Sequence, residues 1–186
     1  MAFYNMPFLY HLAWNNTLSI KQLRHALQLI LKKHQSLRTS LIFDDNKNIL
    51  MQQVMNQEEN EKHLFPITQS TFDTDEQPKD IMYEEKRNPQ LFGLAEGLVF
   101  RCHILHYKEI SSNDILSDKD ALIFNFHHAM FDFPSMKMFL HDLNQAYTTG
   151  QLSYDDNTTL RYLDCKYKYF SYIPFITHCL CFLLRC

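Results

Sequence analysis

The sequence predicts an α/β fold, because segments with the apolar spacing of helices are interleaved with short runs of strand-forming residues. The predicted order is helix, hairpin, helix, strand, strand, helix, without a strict strand–helix–strand repeat. The chain has 186 residues, of which 46% are hydrophobic and 14% aromatic. This is enough apolar side-chain surface for one sizeable core, so a single folded unit is expected.

Each element has a local signal. Ser19 and Gln22 form a capping box, and five apolar residues then recur on one helix face, which predicts a helix over 19–35. Residues 41–43 and 49–55 are predicted to form a hairpin around a polar turn. A second helix should begin near Pro78 and stop before Pro89. Strands are predicted over 98–107 and 121–126, and a helix capped by Ser135 should end at Gly150.

Composition excludes several classes of function. Lys and Arg total 18 against 21 Asp and Glu, a net charge of −3, so the chain has no basic field for nucleic acid. Only three glycines are present, which argues against a phosphate-binding loop. The cysteines are odd in number, which favours a reducing, cytoplasmic setting. They are Cys102, Cys165, Cys179, Cys181 and Cys186.

The most informative polar residues are His127, His128 and Asp132, at and just beyond the end of an apolar strand. Neighbouring side chains on a strand point to opposite faces, so one histidine is expected to be structural and the other free. A free imidazole titrates near neutral pH and can take a proton from an attacking amine or hydroxyl. On these residues alone, two structural histidines beside a turn aspartate stay an alternative. Neither His-Glu-x-x-His nor Cys-x-x-Cys occurs, so no metal site is expected.

The run His127-His128-Ala129-Met130-Phe131-Asp132 resembles the His-His-x-x-x-Asp-Gly motif of the condensation domains of nonribosomal peptide synthetases, relatives of chloramphenicol acetyltransferase. Other segments are similar to further family motifs in the same order, namely 33–39, 91–105, 139–147 and 160–165. The resemblance covers residues 4–172 and implies the N-terminal half of such a domain, a two-layer sandwich of a mixed β-sheet and helices. Residues 173–186 are an apolar, Cys-rich tail of uncertain origin, too short for a membrane span.

The resemblance implies a role for each motif residue. His128 would deprotonate or orient an acceptor amine as it attacks a carrier-protein thioester, which gives an amide. His127 and Ser135 would support the loop, and Asp132 would be structural, with Arg38 as its ion-pair partner. No cofactor is expected to bind directly, because phosphopantetheine would arrive on the carrier protein. An ester-forming acyltransferase of the same superfamily and a noncatalytic remnant or carrier-binding module stay open.

The sequence also departs from the family pattern. Phe133 stands where the motif has glycine, which puts a bulky side chain where a close backbone approach is expected. The family's tunnel lies between two similar halves, and the resemblance covers the first. The missing C-terminal half is therefore an expected partner, and the chain by itself is expected to be inactive or very weak.

Overall fold

The structure is a computed structural model that describes residues 4–56, 66–110 and 113–153, together with the backbone of residues 184 and 185. Nine strands lie in these ranges: β1 (Asn5–Leu12), β2 (Leu18–Ser19), β3 (Thr39–Asp44), β4 (Ile49–Val54), β5 (Ile67–Phe72), β6 (Phe100–Tyr107), β7 (Ile115–Leu116), β8 (Ala121–His127) and β9 (Leu184–Arg185). The α-helices there are α1 (Ile20–Lys33), α2 (Gln77–Arg87) and α3 (Ser135–Thr149), and a short 3-10 helix spans Gln35–Arg38. The predicted α/β class is confirmed.

The main sheet is mixed, as predicted, with strand order β5-β6-β8-β1-β9. The β5 and β6 strands are parallel and are connected through α2, whereas the other neighbours in this sheet are antiparallel. Strand β8 lies between β6 and β1 and is buried along almost its whole length. The residues after β8 therefore emerge from the middle of the sheet.

Helices cover both faces of this sheet. Helices α1 and α3 pack against one face, where they bury Leu27, Phe139 and the Phe124 and Phe126 rings of β8. Helix α2 covers the other face through Ile81 and Met82, which pack near Leu105 and Ile123. The layer formed by α1, α3 and the sheet is the predicted sandwich, and α2 adds a cover on the opposite side.

Most predicted elements are confirmed. Ser19 caps α1, because its hydroxyl oxygen accepts from the Gln22 amide at 3.3 Å. The hairpin β3–β4, helix α2, strands β6 and β8, and helix α3 all lie where the sequence predicted them. Gly150 ends α3 in the left-handed conformation with φ 68°. The segment between the predicted strands 98–107 and 121–126 also contains β7, which pairs with β2 at the start of α1.

The sequence did not predict β1, which lies beside β8. Pro7 lies within this strand although proline has no amide hydrogen to donate to a neighbouring strand. Its position in the register removes the conflict. The His128 amide donates to the Tyr4 carbonyl at 2.7 Å, so alternate pairs from there, including Met6 with Phe126, carry the ladder hydrogen bonds. Pro7 opposes Asn125 at a position between them and therefore loses no hydrogen bond to β8.

The predicted boundary between residues 4–172 and the tail 173–186 lies outside the described residues, apart from the short β9 backbone that pairs with His11 and Leu12. That boundary stays a prediction. None of the described helices is long and apolar enough to cross a bilayer.

Candidate active site

The two histidines at the end of β8 lie in different environments. Backbone amides hold both: the His127 amide donates to the Val99 carbonyl at 2.9 Å, and the His128 amide donates to Tyr4. The His127 ring packs between the Tyr4 and Phe92 rings, each with a centroid 5.8 Å away. His128 is the more exposed of the two histidines. The strand's last residue is thus enclosed by aromatic rings while the next side chain reaches solvent.

The hydrogen bonds of the two rings require opposite tautomers. The His127 Nδ1 atom accepts from the Ala129 amide at 3.2 Å, so in the neutral ring the proton is on Nε2. The His128 Nδ1 atom lies 3.2 Å from the Phe131 carbonyl oxygen, which can only accept. Nδ1 of His128 therefore carries a proton, and in the neutral ring the lone pair is on Nε2.

The environment also favours the neutral form of His127. Burial lowers the pKa of the His127 imidazole, and the nearby charge of His128 lowers that pKa further. An uncharged ring can keep the Ala129 amide as its donor, and this contact closes the turn that follows β8. His127 is therefore suited to holding the loop rather than to accepting a proton from a substrate.

Phe131 anchors this loop from below. Its ring stacks on Phe126 with centroids 3.8 Å apart and planes 10° from parallel, and it packs edge-on against Phe139. Phe131 is 7% exposed. Because the same residue supplies the carbonyl that contacts His128, aromatic packing fixes the acceptor that orients the imidazole.

Asp132 and Ser135 meet at the start of α3. The Asp132 carboxylate accepts from the Ser135 amide at 3.0 Å and from the Ser135 hydroxyl. Ser135 was predicted to cap the helix, but it is the first helical residue and donates its hydroxyl hydrogen. Asp132 supplies the capping acceptor instead, because its side chain reaches the free amide one turn ahead.

Arg38 was predicted to pair with Asp132, and the structure gives the two side chains other contacts. The Arg38 guanidinium donates to the Leu31 carbonyl at 3.1 Å and to the Met55 carbonyl at 2.6 Å. It joins the end of α1 to the end of the hairpin. Within the described residues, Asp132 forms no ion pair with an arginine, so the predicted pairing of Asp132 with Arg38 is wrong. Asp132 is exposed and therefore needs no buried cation.

Phe133 occupies the position that is glycine in the motif. Its side chain is 72% exposed and its ring lies 5.9 Å from that of Phe8. Phe133 is not among the described non-glycine residues with positive φ. The backbone here therefore does not need the conformational freedom of glycine, and the aromatic ring forms part of the protein surface.

A buried charged cluster, which we call the Asp142 cluster, joins α1 to α3 behind the loop. It consists of Lys33, His34 and Asp142: the Asp142 Oδ2 atom lies 2.9 Å from Lys33 Nζ and 2.6 Å from His34 Nε2. Burial alone raises the pKa of the Asp142 carboxyl, but the hydrogen bonds from His34 and Lys33 outweigh it and lower this pKa to about 2. His34 and Lys33 belong to the first family-like motif, and the cluster stabilises the helix that begins at Ser135.

Several residues that shape the site were not identified from sequence. Tyr4 supplies both a backbone acceptor to His128 and a ring to His127, and Phe92 encloses His127 from the other side. Recognising β1 as a strand would have pointed to Tyr4, because a strand ending opposite His127 brings the preceding residue opposite His128. Within the described ranges, no three His, Cys, Asp or Glu side chains are arranged to hold a metal ion.

Both the sequence and the fold of this chain are similar to those of known proteins. The sequence matches the condensation domain family over residues 1–171. The hybrid PKS-NRPS synthetase iliA of Neonectria sp. (strain DH2) is 28% identical over 166 residues, which cover 86% of this chain and 4% of that protein. The fold is similar to the epimerization domain from the third module of tyrocidine synthetase B, with a TM-score of 0.62 and 16% identity over 82% of this chain and 31% of that one.

A second solved structure, the condensation domain of the Monacolin K polyketide synthase MokA, superimposes with a TM-score of 0.58 at 14% identity. That match covers 82% of this chain and 30% of the other. The chain therefore spans less than a third of these two solved relatives.

Proposed function

The chain belongs to the condensation domain family, and we propose that it forms the histidine-bearing part of a domain that transfers an acyl group from a carrier-protein thioester to an acceptor amine. The observation that carries this proposal is the contact between His128 Nδ1 and the Phe131 carbonyl. It orients an accessible imidazole so that Nε2 is the unprotonated nitrogen of the neutral ring, which is the form that a general base needs.

The proposed reaction requires two proton transfers, and the His128 side chain carries out both. The amine nitrogen attacks the thioester carbonyl carbon, and His128 Nε2 accepts the proton that the nitrogen loses. The carbon–sulfur bond then breaks, and the phosphopantetheine sulfur leaves with a proton returned from the imidazolium. Nδ1 keeps its hydrogen bond to Phe131 throughout, so the ring need not rotate between the two transfers.

The proposal also includes the rest of the condensation domain, as a partner of this chain. The chain covers 31% and 30% of the two solved relatives described above, and His128 is exposed in the described residues. An exposed base lacks the water exclusion and substrate positioning that make acyl transfer fast. We therefore expect turnover to depend on the other half of the domain, and the chain alone to be much slower.

Ester formation is the second candidate, because the fold does not specify the attacking atom. One solved relative, with a TM-score of 0.58, is described as a condensation domain that mediates chain release from the enacyloxin polyketide synthase, and another is an epimerization domain. Related folds thus serve different steps. An imidazole accepts a proton from a hydroxyl as readily as from an amine.

The test compares acceptors and variants in the polypeptide encoded by the complete reading frame and in the 186-residue chain alone. Aminoacyl-pantetheine thioesters serve as donors, with an amino acid thioester or a simple alcohol as acceptor, and mass spectrometry identifies amide or ester products. We expect amide formation by the complete polypeptide. His128→Ala should slow it by about 100-fold or more, the usual contribution of a general base.

The matched control is His25→Ala, because His25 is an exposed histidine on α1 whose ring contacts only the Gly150 carbonyl among its described hydrogen bonds. Its rate should equal that of the unmodified chain. Ester without amide would favour the second candidate. Binding of a loaded carrier protein without product, at the same affinity in His128→Ala, would contradict catalysis and leave a carrier-binding module.

A further inference from the structure

A second histidine cluster lies on the opposite face of the sheet, beneath α2, and consists of Ser70, His103 and Glu85. The Ser70 Oγ atom is 2.9 Å from His103 Nε2, and the Glu85 Oε1 atom is 2.7 Å from His103 Nδ1. The three side chains thus form a continuous serine–histidine–carboxylate chain of hydrogen bonds. None of them takes part in the site around His128.

The fold brings these residues together from three elements. In the parallel register of β5 and β6, His103 opposes Thr68, and Ser70 is two residues further on the same face. Helix α2 is the crossover between these strands and places Glu85 above His103. The position of Glu85 is fixed at the end of α2, where the side-chain amide of Asn5 donates to the carbonyls of Glu85 and Asn88 at 2.8 and 2.7 Å.

The hydrogen bonds also assign the protons. A carboxylate only accepts, so His103 Nδ1 carries a hydrogen toward Glu85, and in the neutral ring Nε2 accepts from the Ser70 hydroxyl. The Asn125 amide donates to the other Glu85 oxygen at 3.0 Å, which keeps that carboxylate in place. A serine hydroxyl that donates to a carboxylate-oriented imidazole is the arrangement of an activated nucleophile.

The edge of the sheet gives access to Ser70. Strand β5 is outermost in the sheet that the described residues form, and Ser70 is partly exposed, whereas the His103 and Glu85 side chains are 15% and 13% exposed. The carbonyls of Pro66 and Phe72 both point toward β6, where they accept from Cys102 and Lys108. Peptide directions alternate along a strand, so the Thr71 amide, next to Ser70, points to the outer edge and can donate to a substrate carbonyl.

We propose that Ser70, His103 and Glu85 form a second acyl-accepting site, which takes a small acyl group from an activated carboxylic ester. Ser70 Oγ bonds to the acyl carbon while its proton passes to His103 Nε2. The bond to the leaving alcohol then breaks, and His103 returns the proton to that oxygen. Water releases the acyl group by the same proton transfers, so the net reaction is ester hydrolysis. The limited exposure of the triad restricts the site to small, unbranched acyl groups.

The test uses the full chain with two small probes, methanesulfonyl fluoride and p-nitrophenyl acetate. We expect sulfonylation at Ser70, located by peptide mass spectrometry, with fluoride as the leaving group. Ser70→Ala should abolish labelling and release of p-nitrophenolate, and His103→Gln should slow both by about 100-fold, as expected for loss of a general base.

Two matched controls separate this activity from other sources. Ser153→Ala removes an exposed serine that accepts only from Gln145 among its described hydrogen bonds, and labelling should not change. His128→Ala should also leave labelling at Ser70 unchanged, which makes this result independent of the proposed amide formation. Circular dichroism establishes that each variant is folded. A folded chain in which Ser70 reacts no faster than Ser153 overturns the proposal and leaves the three residues as a structural network.

Discussion

His34 and His128 are both held by hydrogen bonds near the start of α3, yet their surroundings differ. His34 contacts the buried Asp142 carboxylate in the Asp142 cluster, where the Lys33 ammonium is a second neighbour. His128 contacts only a carbonyl through one nitrogen, and its other nitrogen is free on an exposed loop. A buried charged group is costly to leave without its partners, whereas an exposed imidazole with one neutral contact stays accessible to a substrate. The Asp142 cluster should therefore govern stability, and the loop should govern chemistry.

The largest expected effect is the loss of the buried carboxylate in Asp142→Ala. Asp142 is 2% exposed, and its removal leaves Lys33 and His34 without their shared acceptor in a largely buried place. Breaking such a buried pair costs about 3–5 kcal/mol in the free energy of unfolding. Urea unfolding of the full chain, followed by circular dichroism, measures this loss.

The control for that variant is His141→Ala. The His141 side chain also contacts Asp142, at 3.3 Å, but it is 74% exposed. Its replacement should change the free energy of unfolding by no more than about 0.5 kcal/mol. Equal losses of unfolding free energy in Asp142→Ala and His141→Ala would contradict this prediction. The buried contacts of Asp142 would then contribute no more to stability than its exposed contact with His141.

Acid should weaken the same cluster by a smaller amount. The folded pKa of Asp142 is about 2, below the ordinary 3.8. A lowered carboxyl pKa contributes stability that is present above the ordinary value and is lost as the pH falls from about 4 toward 2. The expected loss is about 2 kcal/mol. Unfolding midpoints of the unmodified chain and Asp142→Ala should converge over this pH range, and a constant separation would contradict the assigned pKa.

The smallest expected effect concerns the loop. Asp132→Ala removes the acceptor for the Ser135 amide and hydroxyl at the start of α3. Loss of a helix-capping side chain costs about 1 kcal/mol, less than the buried cluster because water can replace the acceptor. Asp132→Asn keeps a side-chain oxygen and should lose less than about 0.5 kcal/mol. Thermal unfolding of both variants measures the difference, and a loss in Asp132→Ala as large as in Asp142→Ala would remove the distinction between the two regions.

Some features were predictable because their signals are local. The apolar spacing and Ser19 cap of α1, the hairpin turn, Pro78 at the start of α2 and Gly150 after α3 each act within a few residues. Strand β5 was not predicted, because its sequence Ile67-Thr-Gln-Ser-Thr-Phe72 has polar residues at every interior position. It becomes a strand by pairing with β6, which depends on residues more than 30 positions away.

The candidate site also has some features that were predictable from sequence and others that were not. The motif with His127, His128 and Asp132 could be recognised in sequence, because its members lie within six residues. The partners could not: Asp132 was expected to meet Arg38, but it meets Ser135, while Arg38 joins the end of α1 to the hairpin. A charge pattern identifies groups that need partners, and several partners satisfy an exposed carboxylate equally well.

The sequence by itself determined the α/β class, the extent of the helices and the likeness to condensation domains, because periodicity, caps and a contiguous motif are properties of neighbouring residues. Only the tertiary structure decided the opposite tautomers of His127 and His128, the burial of Asp142 between two helices, and the alignment of Ser70, His103 and Glu85. Each of these depends on which atom of a distant element lies within about 3 Å of a ring nitrogen or carboxylate oxygen, and hydrogen bonds are sensitive to that distance.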